Sequence, residues 1–196
     1  MKIKILCMQK MLFCVLRRSK AWFCRKMSTI KPEGKIRRND AVMFLGKGRV
    51  RIGIGNAFGL YPSPNYFNGS AYIEAWYEDA LVQIGNNNYF NNKLSICAEH
   101  GCIIIGDDCL FGENVSIINS DFHPIRISER HKTTQKSKDV IIGNNVFISN
   151  NVSICKGVHV GNNAVIANGA VVFDDVKENT IVRGNPAVVY KEKIYE

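Results

Sequence analysis

From Ile142 the chain divides into six consecutive hexapeptides: IGNNVF, ISNNVS, ICKGVH, VGNNAV, IANGAV and VFDDVK. This period constrains the fold more than any other feature. The units open with Ile142, Ile148, Ile154, Val160, Ile166 and Val172. Their fifth residues are Val146, Val152, Val158, Ala164, Ala170 and Val176. A branched aliphatic side chain suits a strand position that points inward. A narrower residue at the next inward place lets facing walls meet. The third and fourth positions are Asn, Asp or Gly, with Lys156 the one exception. Those residues tolerate the left-handed backbone of a sharp corner. A period of six fits no α-helix and is too regular for a sandwich. It describes a short strand, a corner and another strand, stacked coil on coil. The pattern recurs as IGNNNY from 84, FNNKLS from 90, IGDDCL from 105 and FGENVS from 111. It is degenerate between 55 and 83.

The 196 residues suffice for one domain with a real core, and a chain that is 46% hydrophobic and 22% charged is globular in type. The net charge of +9 belongs to one end. Residues 1–38 hold twelve Lys or Arg against one acid, Glu33, whereas the other 158 residues come to −2. No nucleic-acid surface is implied. The basic segment has a longest apolar run of six residues, Met11 to Leu16. A membrane span needs about 20, and the run and its flanks do not fit a cleavable signal peptide. The segment reads as a basic amphipathic helix carrying Trp22 and Phe23. Two readings stay open: attraction to anionic lipid at the cytoplasmic membrane face, or packing on its own domain or a neighbouring subunit. Seven cysteines, an odd number with no metal spacing, point to free thiols in a reducing, cytoplasmic compartment.

The repeat stops between Ile117 and Ile142, a gap of 25 residues that is no multiple of six. Within it stand NSDFHPI, residues 119–125, and then RISERHKTTQKSKD. Long excursions from a compact array are usually functional or disordered. Pro124 pushes His123 toward extended backbone and blocks helix, and Phe122 offers an apolar anchor.

The repeat, this break and the closing IVRGNPAVVYK together resemble the hexapeptide-repeat acyltransferases, most closely the O-acetyltransferases of bacterial capsule and lipopolysaccharide sugars. The resemblance covers roughly residues 50–190. It implies an all-β fold, a left-handed parallel β-helix of three hexapeptides per coil, over residues 39–186. The loop 119–139 would protrude, the basic helical segment 1–38 would precede it and a tail, 187–196, would follow. It also implies a homotrimer with the acetyl-CoA site between subunits, a saccharide acceptor and no metal. Peripheral contact with the inner membrane would involve residues 1–27.

On this resemblance His123 is the general base that takes a proton from a sugar hydroxyl as it attacks the acetyl thioester. The matching oxyanion donor is a backbone N–H in VFISNN, at Ser149 or Asn150. Asp121 or a backbone carbonyl would orient the histidine. Relatives place an asparagine near Lys93, which singles out Asn92 for the acceptor. Phe147 stands where relatives commonly carry Trp and would wall the site. Ala167 and Asn168 match the coil that holds the pantetheine arm. The family's basic residue after Pro186 is Val188 here, so Lys156, Arg183, Lys191 and Lys193 are the substitutes for phosphate contact. No cysteine is implied as nucleophile. His100, His131 and His159 lack the spacing of a three-histidine zinc site.

The loop from Arg126 to Lys138 holds five basic residues against Glu129. If Arg126 and Arg130 overhang the acceptor, they favour an acidic sugar. Two other classes remain: N-acetylation of an amino sugar or antibiotic, and a β-helix scaffold without turnover.

Overall fold

The computed structural model describes residues 2–37, 40–132 and 136–194, with residues 2–10 by backbone alone. The hexapeptide columns become three parallel sheets, and the chain passes from one to the next in a fixed order. The first face holds Val42–Gly46, Ala71–Ala75, Ser95–Ala98, Ser116–Ile118, Ser153–Ile154 and Val171–Val172. The second holds Glu33–Gly34, Arg49–Ile52, Leu81–Ile84, Cys102–Ile105, Val140–Ile142 and His159–Val160. The third holds Ala57–Phe58, Tyr89–Phe90, Leu110–Phe111, Phe147–Ile148, Val165–Ile166 and Ile181–Arg183. The result is a three-sided parallel coil, mostly strand, with one long helix.

Both inward columns are buried. Ile142, Ile148, Ile154, Val160, Ile166 and Val172 line the interior with Val146, Val152, Val158, Ala164, Ala170 and Val176. Each Val or Ile among them contributes about 1.5–3 kcal/mol when fully buried. In the upper coils Phe58, Phe90 and Phe111 stack at centroid separations of 4.8 and 4.5 Å. The corners take the left-handed backbone their sequence requires. Asn87, Asp108, Asn114, Asn145, Asn151 and Asn163 have φ between 54° and 58°.

Side chains at the corners tie the coils together. Asn144 Oδ1 accepts from Asp107 N–H at 2.8 Å, and Asn162 Oδ1 from Asn144 N–H at 2.7 Å. Inside, the buried Asn56 and Asn88 form a column. Asn88 N–H donates to Asn56 Oδ1, and Asn88 then bonds Gly106 O and Cys109 N–H. A buried amide is tolerable because these bonds saturate it.

One sheet edge is covered at each end of the coil, which leaves fewer open strand edges. At the start, helix α1 (Lys2–Met27) lies against Val42–Gly46 through the buried Ala21 and Cys24. Thr29 and Ile30 N–H groups then donate to Phe44 O, and Phe44 N–H donates to Ser28 Oγ. At the far end, Val188–Lys191 folds back antiparallel to Ile181–Arg183. Residues 188–191, expected in a tail, are thus a strand of the third face. Likewise Glu33–Gly34, expected in the preceding segment, already pairs with Arg51–Ile52.

Among the described residues two strandless excursions separate consecutive strands of the coil. Residues 119–132 and 136–139 lie at the edge between the first and second faces. Residues 59–70 depart at the edge between the third and first, inside the stretch whose repeat is degenerate.

Candidate active site

The long excursion is stitched to the wall at its root. Asn119 and Ser120 are fully buried. Asn119 Oδ1 accepts from Glu99 N–H at 2.8 Å, and its amide nitrogen donates to His100 O. Lys138 N–H returns to Asn119 O at 2.9 Å, so the two ends of the excursion meet. Ser120 Oγ donates to the Glu99 carboxylate and accepts from Phe122 N–H at 2.9 Å.

The next turn is unusual. His123 N–H donates to Asp121 O at 2.7 Å, two residues back. Phe122, between them, has φ +58°. A bulky side chain at positive φ is an outlier, and this γ-turn is of the rare, strained kind. The Phe122 ring sits 6.1 Å from Trp76. His123 therefore stands exposed at the foot of the excursion. Among the described residues its ring accepts and donates no hydrogen bond. Asp121, considered as its orienter, instead pairs with Lys156 Nζ. Lys156, considered for the coenzyme, is engaged in that same pair.

Ser149, Asn150, Ala167, Asn168 and Asn92 gather on the edge between the third and first faces. Ser149 and Asn150 follow Phe147–Ile148, and Ala167 and Asn168 follow Val165–Ile166 one coil later. Ser149 N–H is committed to Ile166 O at 2.9 Å. Asn150 Oδ1 accepts from Glu113 N–H at 2.7 Å, continuing the corner pattern. The Asn150 N–H itself, which the pattern would bond to the next coil, has no acceptor among the described residues. Of the two oxyanion candidates, only Asn150 presents a free donor.

Asn92 sits higher on this edge and is buried. Its amide nitrogen donates to Leu60 O at 3.3 Å and Pro64 O at 2.7 Å, holding down the 59–70 excursion. That excursion, α1 and Asn91 enclose a cavity of about 480 Å³, which Arg17, Lys20 and Tyr66 also line. Phe147 is exposed on the third face, in register with Leu110 and Val165. Arg126 and Arg130 are exposed beside the short 3₁₀ turn Ile127–Glu129, where Arg126 lies 3.8 Å from Glu129. The Arg183 guanidinium stacks 3.9 Å from the Tyr190 ring, while Lys191 is exposed.

Burial raises the thiols of Cys97 and Cys155 and pushes those of Cys102 and Cys109 up to about 11. They are protonated near neutrality and so poor nucleophiles. His100 stacks on Tyr77 at 4.3 Å with its Nδ1 2.9 Å from Asp79, and His159 lies 3.7 Å from Asp175. Among the described residues no group of three His, Cys, Asp or Glu is placed to hold a metal.

Sequence reasoning missed Glu99 and Ser120, and it missed the 59–70 excursion. One signal existed for Glu99. Inward residues Ile96 and Ile105 are nine apart rather than six, with the acid inside that gap.

The family described as "Bacterial transferase hexapeptide (six repeats)" matches residues 139–174, and "Hexapeptide repeat of succinyl-transferase" matches 102–127. A polysialic acid O-acetyltransferase of Neisseria meningitidis is 39% identical over 69 residues, 35% of this chain. The match spans 32% of that relative, about a third of its length. The solved structure of the polySia-specific acetyltransferase NeuO is 31% identical, with TM-score 0.63 over 79% of this chain and 67% of that one. A galactoside acetyltransferase in complex with coenzyme A shares the fold at 24% identity, TM-score 0.58, over 91% and 81% of the two chains. With the repeat, its three-faced coil and a match over two thirds of the NeuO chain in agreement, the chain belongs to the hexapeptide-repeat acyltransferases.

Proposed function

We propose that the chain is an acetyl-CoA-dependent O-acetyltransferase acting on a hydroxyl of a bacterial surface saccharide, with His123 as general base. The observation that carries this is the exposed ring of His123, unpartnered among the described residues, on a strained turn at the root of the excursion. Strained backbone persists only where surrounding structure holds it, and it clusters at active sites. The coenzyme A complex of a fold neighbour supports a thioester donor.

The step balances simply. Neutral His123 takes the hydroxyl proton as the oxygen bonds to the acetyl carbon. The carbonyl oxygen becomes an oxyanion that the Asn150 N–H can stabilise. Collapse breaks the carbon–sulfur bond, and the imidazolium returns its proton to the departing coenzyme A sulfur. A positioned base contributes about 10²–10⁴-fold, and one oxyanion donor about 10²–10³-fold.

These groups stand on different edges of one prism, with the first face between them. A homotrimer in which His123 of one copy faces Asn150, Ala167 and Asn168 of the next would bring them together. The exposed Tyr89, Leu110 and Phe147, in register on the third face, supply apolar surface for such a contact.

For the acceptor, Arg126 and Arg130 favour an acidic sugar, and two polysialic acid acetyltransferases among the relatives point the same way. We further place the apolar outer side of α1 at an anionic membrane surface.

The test is release of coenzyme A from acetyl-CoA across acidic and neutral oligosaccharides, with the product located by NMR. His123→Ala should lower kcat by about 10²–10⁴-fold without changing the melting temperature. Replacing Arg126 and Arg130 by Ala should raise KM for acidic acceptors only. Turnover unaffected by His123→Ala, or transfer to amines alone, would remove this reading. No thioester turnover with any acceptor would leave a scaffold.

A further inference from the structure

We infer that Glu99, acting through Ser120, is the positioning residue that aims His123. This rests on the reading of His123 as the base. Glu99 is only 3% exposed, and acids are almost never fully buried unless paired. Among the described residues it forms no ion pair. Its one side-chain partner among those residues is the Ser120 hydroxyl, itself fully buried.

A serine hydroxyl has one proton and is otherwise free to rotate. Donating that proton to Glu99 fixes the rotor and turns a lone pair to Phe122 N–H, 2.9 Å away. Phe122 is the residue at φ +58°, and the next N–H, that of His123, closes onto Asp121 O. The acid thus sets the hydroxyl, the hydroxyl holds the strained turn, and the turn sets where the imidazole leaves the wall. Glu99 is itself held from the backbone side, since its N–H donates to Asn119 Oδ1 at 2.8 Å. The clamp joins two successive coils and lies behind the reacting face. Asp121 is occupied with Lys156, so the ring is aimed through the backbone of its own turn.

The test compares Glu99→Leu, Glu99→Gln and Ser120→Ala in the full chain, each also on the His123→Ala background. Leu removes the acceptor at similar volume, whereas Gln keeps a carbonyl oxygen for Ser120. Glu99→Leu and Ser120→Ala should lower kcat roughly 10–100-fold, the scale of a small misplacement of a reacting group. KM for acetyl-CoA should stay unchanged, and Glu99→Gln should retain most of the rate. On the His123→Ala background neither substitution should lower the residual rate further. Hydrogen exchange supplies a readout apart from turnover: the Phe122 amide should exchange at least about tenfold faster in Ser120→Ala than in wild type.

Wild-type kcat in Glu99→Leu and Ser120→Ala would overturn the inference while leaving His123 as base. So would an equal further loss on the His123→Ala background, which marks general destabilisation. If His123→Ala alone leaves turnover intact, the reading of the base fails instead, and the Phe122 exchange rates still report whether the clamp exists.

Discussion

One buried column on the inside of the coil ends in a thiol. Asn56 and Asn88 occupy two successive coils, and Cys109 takes the next place, with its Sγ donating to Gly143 O at 3.2 Å. The thiol is fully buried, and burial pushes it up to about 11 from 9.0, ahead of smaller effects of Val146 N–H and Asp108. Its folded pKa is raised, so the protonated form is the one that fits. The contribution to stability is whole below pH 9 and is lost as pH rises from 9 toward 11. Denaturant unfolding from pH 8 to 11 should show wild type losing on the order of 2 kcal/mol more than Cys109→Ala across that window. Parallel curves for the two proteins would show that the thiol carries no such linkage. The column also marks the limit of reading single residues. Asn88 stands in IGNNNY, an ordinary unit of the repeat, and its burial depends on partners 18 to 32 residues away. The break in the repeat beside His123 was legible, because a period of six cannot span the 25 residues from Ile117 to Ile142. Glu99 and Ser120 were not, because the hydrogen bond joining them spans 21 residues and two coils.

At the scale of elements, α1 separates two readings that its sequence left level. Apolar residues occur all round the helix, so periodicity could not name the buried side. The small side chains decide it: Ala21 and Cys24 let α1 approach Val42–Gly46 closely, with Phe13 and Lys20 on the same side. The larger Met11, Leu12, Val15, Leu16, Trp22 and Phe23 remain 46–65% exposed. Arg18, Arg25 and Lys26 are exposed around them, and residues 1–32 contain no acid. The helix therefore packs on its own domain and still presents an apolar, cationic side. No helix among the described residues is long and apolar enough to cross a membrane. An interfacial helix of this composition binds anionic lipid through apolar insertion plus roughly 1 kcal/mol per basic residue near the surface. The protein should co-sediment with phosphatidylglycerol vesicles but not with phosphatidylcholine vesicles. Binding should weaken at high salt and disappear in a Trp22→Ser, Phe23→Ser double variant that keeps the oligomeric state of the wild type. If that variant falls apart into monomers, the apolar side belongs to a neighbouring copy and the lipid reading is wrong.

The whole molecule poses the question of where one active site ends and one chain begins. The period of six made the coil legible, because each column of the repeat has one local cause. It carried no information about which edges of the prism cooperate, since in the proposed homotrimer that depends on how copies pack. The structure narrows the choice: His123 is on the edge between the first and second faces, whereas Asn150 and Ala167 are on the edge between the third and first. A site built from two copies makes a quantitative prediction. His123→Ala should keep only a small residual rate for want of the proposed base. Asn150→Pro should be strongly impaired, since proline removes the free N–H, and its melting temperature would confirm that the corner survives. Neither variant has a complete site as a homotrimer. In trimers assembled at random from equal amounts of both, roughly a quarter of the interfaces would pair an intact His123 with an intact Asn150. Co-expressing the two variants should therefore restore about a quarter of wild-type turnover per subunit. If each site lay within one chain, every subunit of the mixture would still lack one of the two groups. Turnover would then stay at the level of the separate variants, however thoroughly they were mixed.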